Sequence, residues 1–210
     1  RLPSVARGHG SYRRLLASRQ FLLFLAAASL VQCSHAAFYG FATLHWRATG
    51  HSEGIIGLLW AEGVVVEIVL FAFAGSVVRR TGIVRLLGLG AAAGVLRWLV
   101  MGLTAELWAL ALVQLLHAAT FGCTHLAAMS FLQRAVPDTA SAGSQALYSA
   151  IAMGAVLALT MMAAGALYAS VAGQVFFAMA AMTLVGGGFA ALLARAWDGG
   201  ELPVTTWSPA

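Results

Sequence analysis

The amino-acid sequence predicts an all-α integral membrane protein, a bundle of six transmembrane helices. Three observations lead there. Of its residues, 61% are hydrophobic and only 9% charged, with a mean hydropathy of +0.87, well outside soluble averages. Apolar stretches at about 21–44, 54–78, 84–104, 107–132, 146–170 and 174–194 are each long enough to cross a ~30 Å hydrocarbon core as a helix. Strand-like alternation is missing from them, and backbone groups in lipid must be paired within the segment, which leaves helices as the form they take.

Taken in order, residues 1–20 are polar and carry Arg1, Arg7, Arg13, Arg14 and Arg19. They read as a cytoplasmic linker with a short amphipathic helix. The six-helix bundle occupies 21–196, and a cytoplasmic tail follows over 197–210. The chain starts with arginine rather than methionine, so it reads as part of a longer gene product. A signal peptide ending at Cys33 is disfavoured because Gln32 is too large for the cleavage site and five further spans follow.

Charge gives the orientation. All twelve basic residues are arginines and the net charge is +5. Arg1, Arg7, Arg13, Arg14, Arg19, Arg79, Arg80, Arg85, Arg134 and Arg195 fall on one side of the expected topology, and Arg47 alone falls on the other. By the positive-inside rule both termini are cytoplasmic, at the plasma membrane. Basic residues confined to chain ends and short connections argue for membrane topology rather than a nucleic-acid partner. Cys33 and Cys123 lie inside apolar runs and read as core residues, with no disulfide framework and no metal or other cofactor implied.

The second stretch holds Glu62 and Glu67, which a lipid-facing helix should not contain. Holding one ionised side chain at bilayer depth costs about 3 kcal/mol even on lenient scales, so each needs a cavity, a partner or a proton. At 1.5 Å per residue, Glu62, Arg97 and His35 come out in the outer half of the membrane, and Glu67 and His117 nearer its middle. Depth allows an ion pair between Glu62 and Arg97, the bland reading of both. The sharper reading makes Arg97 an anchor for an anionic substrate, because its planar fork matches a carboxylate. Glu67 reads as a proton-coupling carboxylate. Gln114, His117, Thr120, Thr124 and His125 form a polar stripe that suits a cavity lining. Tyr39, Trp60, Phe121 and Tyr148 are candidates to face a substrate ring, against the plainer reading that they pack on neighbouring helices.

Several motifs are set aside. Gly50-His51-Ser52-Glu53-Gly54 has the GxSxG spacing of a hydrolase elbow, but that chemistry needs a strand-to-helix turn, and Ser52 reads better as an N-cap. Gly88 to Ala93 matches a dinucleotide fingerprint inside a membrane span, with no strand before it. The histidines lack a second pair with the spacing that haem or metal would need. Small residues at Gly88, Gly90, Gly94, Gly154, Ala158 and Gly186 to Gly188 let helices approach closely.

The loop Gly75 to Arg85 resembles the signature loop of the major facilitator superfamily, with arginine at the usual aspartate position. A longer resemblance, to the 3-phenylpropionic acid transporter family, runs through His35 to Phe41, Gly63 to Glu67, Arg97-Trp98, Met101-Gly102, Gln114, His117, Thr120-Phe121, His125 to Met129 and Gln145 to Gly154. Glu62 departs from that family's pattern, where an apolar residue is expected. Lactose permease and the nucleoside symporters are related more distantly. Lactose permease has an arginine and a histidine at the separation of Arg97 and His117, but Thr120 stands where it has a carboxylate.

The resemblance implies half of a major facilitator fold, with these spans as helices seven to twelve and a missing amino-terminal six-helix half as partner. It implies a proton-coupled secondary transporter, not an enzyme, importing a small organic solute such as 3-phenylpropionate. With Thr120 at the carboxylate's position the proton site must move, and Glu67 with His117 is the substitute inferred from the residues themselves rather than carried over. Arg97, His117, Gln114, Gln145, Tyr39, Trp60, Phe121 and Tyr148 would bind substrate. A sugar or nucleoside proton symporter is the alternative within the class; a membrane-embedded haem protein or hydrolase is the alternative outside it.

Overall fold

The structure is a computed structural model that describes residues 8–202, with side chains from Arg13 onward. Most of the sequence-expected linker, residues 1–7, and the end of the tail, residues 203–210, lie outside the described residues. The described residues run through eleven α-helices: α1 Gly8–Ala17, α2 Arg19–Cys33, α3 Ala36–Ala48, α4 Glu53–Ala72, α5 Ala74–Thr81, α6 Ile83–Leu103, α7 Leu107–Gln114, α8 Thr124–Ala135, α9 Asp138–Tyr148, α10 Leu157–Val171 and α11 Val175–Ala196. Two π-helical runs are inserted, Ala118–Cys123 between α7 and α8 and Ser149–Val156 between α9 and α10. No strand occurs among the described residues.

Five helical runs are long and apolar enough to cross a membrane: Arg19–Ala48, Glu53–Ala72, Ile83–Leu103, Leu107–Ala135 and Asp138–Ala196. The last has 59 residues, about 88 Å if straight and nearly three times the hydrocarbon thickness. It is broken at Ala172, whose φ of 48° lies in the left-handed region and starts the short 3-10 turn Ala172–Gln174. The run therefore makes two crossings, and six spans result.

Local sequence sets most boundaries. Ser18 caps α2 by accepting from the Phe21 amide at 3.3 Å, and Ser52 caps α4 by accepting from Ile55 at 3.5 Å, the role read from the sequence rather than a nucleophile's. One boundary differs from expectation. The second span ends at Ala72 instead of running to 78, because Phe73 leaves the helical region (φ −110°, ψ 12°) and α5 starts afresh. That segment reads AGSVVRRT and buries no residue fully; adjacent Arg79 and Arg80 suit a membrane surface, not its interior.

The buried residues divide into three zones. One apolar cluster gathers Phe21, Phe24, Leu86, Phe131, Tyr148 and Leu193. A second gathers Phe38, Trp46, Leu59, Trp98, Leu110 and Phe176. The buried polar side chains Gln32, Ser34, His35, Arg97, Gln114, His117 and Thr120 fall between these sets along α2–α3, along α6 and along α7–α8. A polar band thus crosses the bundle between two greasy cores. Close helix contact keeps it narrow: an added Cβ at Gly94 would lie 2.6 Å from Thr183 Cγ2, so α6 and α11 meet at bare backbone.

Candidate substrate and proton site

Arg97 is the centre of the band. It sits on α6 with no exposed surface. Its Nη1 lies 2.9 Å from His117 Nδ1 and donates to Thr120 Oγ1 at 3.2 Å, and its Nη2 donates to Gln114 Oε1. Aromatic faces enclose the guanidinium, with its Cζ 4.4 Å from the Phe38 centroid and 4.7 Å from that of Trp98. Desolvated cation–π contacts of this kind contribute about 2 kcal/mol. Among the described residues, no carboxylate lies within ion-pair distance of Arg97. Its Nε has no hydrogen-bond partner, and neither does the adjacent Gln114 Nε2.

His117 links this cation to Glu67. A guanidinium only donates, so His117 Nδ1 must accept from Arg97, which puts the ring's proton on Nε2. That nitrogen lies 3.4 Å from Glu67 Oε2. The second His117 proton would have to sit on Nδ1, opposite an Arg97 N–H. Protonating His117 and keeping its Arg97 contact are therefore mutually exclusive.

Thr120 carries the network to the first span. His35 Nδ1 is 3.0 Å from the Gln32 carbonyl, which makes it the protonated nitrogen and leaves Nε2 to accept from the Thr120 hydroxyl at 3.1 Å. Trp98 donates to Ser34 Oγ at 3.0 Å. The break between α2 and α3 at Ser34–His35 thus supplies one partner to α6, through Trp98, and one to the π-helical run, through Thr120.

The aromatic wall is partly as expected. Tyr39, 41% exposed, stacks on His35 at 5.7 Å and on Trp60 at 6.3 Å. Trp60 donates to Thr43 Oγ1 at 3.0 Å and packs 4.3 Å from Phe38. Phe121 stacks on His117 at 5.7 Å.

Three sequence-based expectations are corrected. Glu62 does not pair with Arg97; it lies in an apolar groove with Leu58, Leu59, Val65 and Leu115. The reason is rotational: Glu62 and Glu67 are about 140° apart on α4, so one helix face cannot carry both inward. Tyr148 is buried in the other apolar cluster, 5.8 Å from Phe24, with its hydroxyl unpartnered among the described residues. Gln145 is exposed on α9 and donates to Ser141 Oγ one turn earlier at 3.3 Å. Conversely, Phe38 and Trp98, which enclose the guanidinium, were not picked out, although each lies one position from a residue that was; Thr120 was expected only as part of the polar stripe and His35 only by its depth.

The chain belongs to the MFS_1 like family, whose model matches residues 3–179; the described helices form the all-α membrane bundle of half a major facilitator fold. It is 42% identical over 171 residues to the probable 3-phenylpropionic acid transporter of Escherichia coli (strain K12), covering 79% of this chain and 44% of that protein. It is 30% identical over 142 residues to the maltose permease of Geobacillus stearothermophilus, covering 68% of this chain and 36% of the permease. Against the uncharacterized transporter YwbF of Bacillus subtilis (strain 168) the identity is 24% over 143 residues, with the same coverage. The chain spans less than half the length of each of these relatives.

Proposed function

We propose that this chain is the carboxyl-terminal half of a proton-coupled importer of a small organic acid, an aromatic carboxylate such as 3-phenylpropionate. The observation that carries the reading is the buried Arg97 cation without a carboxylate partner among the described residues, with two N–H donors, its own Nε and Gln114 Nε2, lacking acceptors. An uncompensated buried charge costs several kcal/mol, and a carboxylate brings two acceptor oxygens and the missing charge. Tyr39, Trp60 and Phe121 pack beside the polar band, on His35, Phe38 and His117, and suit an aryl ring.

Coupling follows from His117. A proton taken up by His117 at Nδ1 displaces Arg97 from that nitrogen, with Glu67 facing the resulting imidazolium from the Nε2 side, and the freed guanidinium can then turn to the substrate. Deprotonation restores the His117 contact and expels the anion. Alternating access comes from rocking this bundle against the amino-terminal half, with both termini cytoplasmic in the plasma membrane.

The test is uptake of radiolabelled 3-phenylpropionate by cells expressing the full-length protein, with and without a protonophore. Uncoupler-sensitive uptake that disappears in Arg97→Gln is the expected result. Absence of uptake by well-expressed protein rejects the substrate, and labelled maltose then tests the neutral-sugar alternative that the maltose permease likeness favours.

A further inference from the structure

Below His117 the polar stripe continues to a residue that the network above does not use. His125, on α8, is half-buried, and no acidic or basic side chain lies within ion-pair distance of it among the described residues. Its ring stacks on Phe121 at 6.0 Å and 5°, as Phe121 stacks on His117 at 5.7 Å and 11°. In a straight α-helix, rings four residues apart drift by about 40° at each step. The π-helical run Ala118–Cys123 holds more residues per turn and offsets that drift. The wide turn therefore keeps His117 and His125 on one face, two turns apart.

Helix α4 runs parallel beside this face, and the two interlock through glycines. Gly63 meets the His117 ring, with an added Cβ only 3.4 Å from it. Gly122 leaves room for Leu70, and the Cγ of Glu67 lies 3.9 Å from where its Cβ would be. One turn further, Phe71 of α4 meets the His125 ring at 6.2 Å. Glu67 thus stands between the two histidines, its Oε2 3.4 Å from Nε2 of the upper one and one turn, ~5.4 Å, above the level of the lower.

We infer that His125 is the inner proton station: it takes the coupling proton from Glu67 and passes it to water at the inner end of the bundle. The inference rests on the proton-coupled reading above. The His117 imidazolium gives its Nε2 proton to the Glu67 carboxylate, which turns toward the inner end and hands that proton, through one bridging water, to the His125 imidazole, leaving a carboxylate and an imidazolium, while the proton left on His117 Nδ1 returns to Nε2 by way of water and frees Nδ1 for Arg97. The imidazolium releases that proton to inner water, and Glu67 returns to accept from His117 Nε2–H. The other ionisable groups on α8 and on elements packed around it are Arg134 on α8, Arg19 and Cys33 on α2, Arg79 and Arg80 on α5, Arg85 and Arg97 on α6, Cys123 in the π-helical run, and Asp138 and Tyr148 on α9. Of the three glutamates of α4, Glu67 is the one a single turn before Phe71, whose ring meets that of His125.

The experiment uses the full-length transporter in proteoliposomes with radiolabelled 3-phenylpropionate and two assays. Accumulation driven by a proton gradient requires net proton release. Exchange of labelled internal for unlabelled external substrate does not. His125→Asn is expected to keep exchange near wild type while accumulation falls by about tenfold or more, the size of effect a proton-transfer group supplies. His125→Phe retains a stacking ring without a titratable nitrogen and is expected to show the same split. Accumulation that persists in both variants, or in His125→Phe alone, overturns the relay and leaves the transporter reading standing. Loss of exchange together with accumulation in both variants shows a packing role and also overturns it. Wild-type accumulation that ignores the proton gradient overturns the proton-coupled reading itself.

Discussion

Arg97 Nη1 and His117 Nδ1 lie 2.9 Å apart, and because the arginine can only donate, the contact fixes the histidine as a neutral acceptor on that side. One hydrogen bond thereby makes two events exclusive, protonation of His117 and its hold on Arg97. The remaining contacts on the guanidinium, to Gln114 and Thr120, are neutral acceptors as well. The cation is held in place without being neutralised.

Arg97→Lys keeps the charge but loses the fork that reaches His117, Gln114 and Thr120 together. Charge-assisted hydrogen bonds contribute about 1.5–3 kcal/mol each, so uptake should fall at least about tenfold, chiefly through a raised KM for substrate. Initial-rate uptake over a substrate series, normalised to surface expression, measures this. Wild-type kinetics in the lysine variant would show that the fork geometry is irrelevant.

Glu62→Gln should leave accumulation within about twofold of wild type, since Glu62 contributes no ion pair among the described residues and lies in an apolar groove. Glu67→Gln should abolish accumulation. Side-by-side uptake with a protonophore control separates the two carboxylates. Equal losses would mean that Glu62 finds a partner in the amino-terminal half.

Gly122→Ala should weaken transport by forcing α4 away from the π-helical run, because the new methyl meets Leu70. Overpacking of this kind costs about 1–3 kcal/mol. Trimming the neighbour in the double variant Gly122→Ala with Leu70→Ala should restore uptake in part. No recovery would place the defect elsewhere.

Phe24→Ala should lower the thermal unfolding midpoint of the purified full-length protein without changing its substrate affinity. Phe24 has no exposed surface and stacks on Phe131 at 4.1 Å and 13°. Large-to-small changes in packed interiors cost about 3–5 kcal/mol. The residue lies in the apolar cluster apart from the polar band, so a matching loss of substrate affinity would contradict that separation.

Much of the buried polar cluster was visible in the sequence because charges at membrane depth are costly and therefore conspicuous. Arg97, His117 and Glu67 were found that way, and helical spacing put Gln114, His117 and Thr120 on one face. Which glutamate turned inward was harder to see, yet a signal existed. The buried residues of α4 are Ile56, Leu59 and Gly63, a face that Glu67 continues at the next turn, while Glu62 lies about 100° from Gly63. Reading the glycine as a marker of close helix approach would have selected Glu67.

The sequence alone determined the class: the length and greasiness of the runs and the isolated polar residues follow from the cost of placing charge and open backbone in hydrocarbon, and each is a local property. Pairing was decided only by the tertiary structure. That Arg97 takes His117, Gln114 and Thr120 instead of Glu62, that Tyr148 and Gln145 stay outside the site, and that Phe38 and Trp98 enclose the cation all depend on the rotation of each helix about its own axis. Packing against neighbours sets those rotations, through glycines that admit a facing side chain and π turns that shift a helical face, and no single span contains that information.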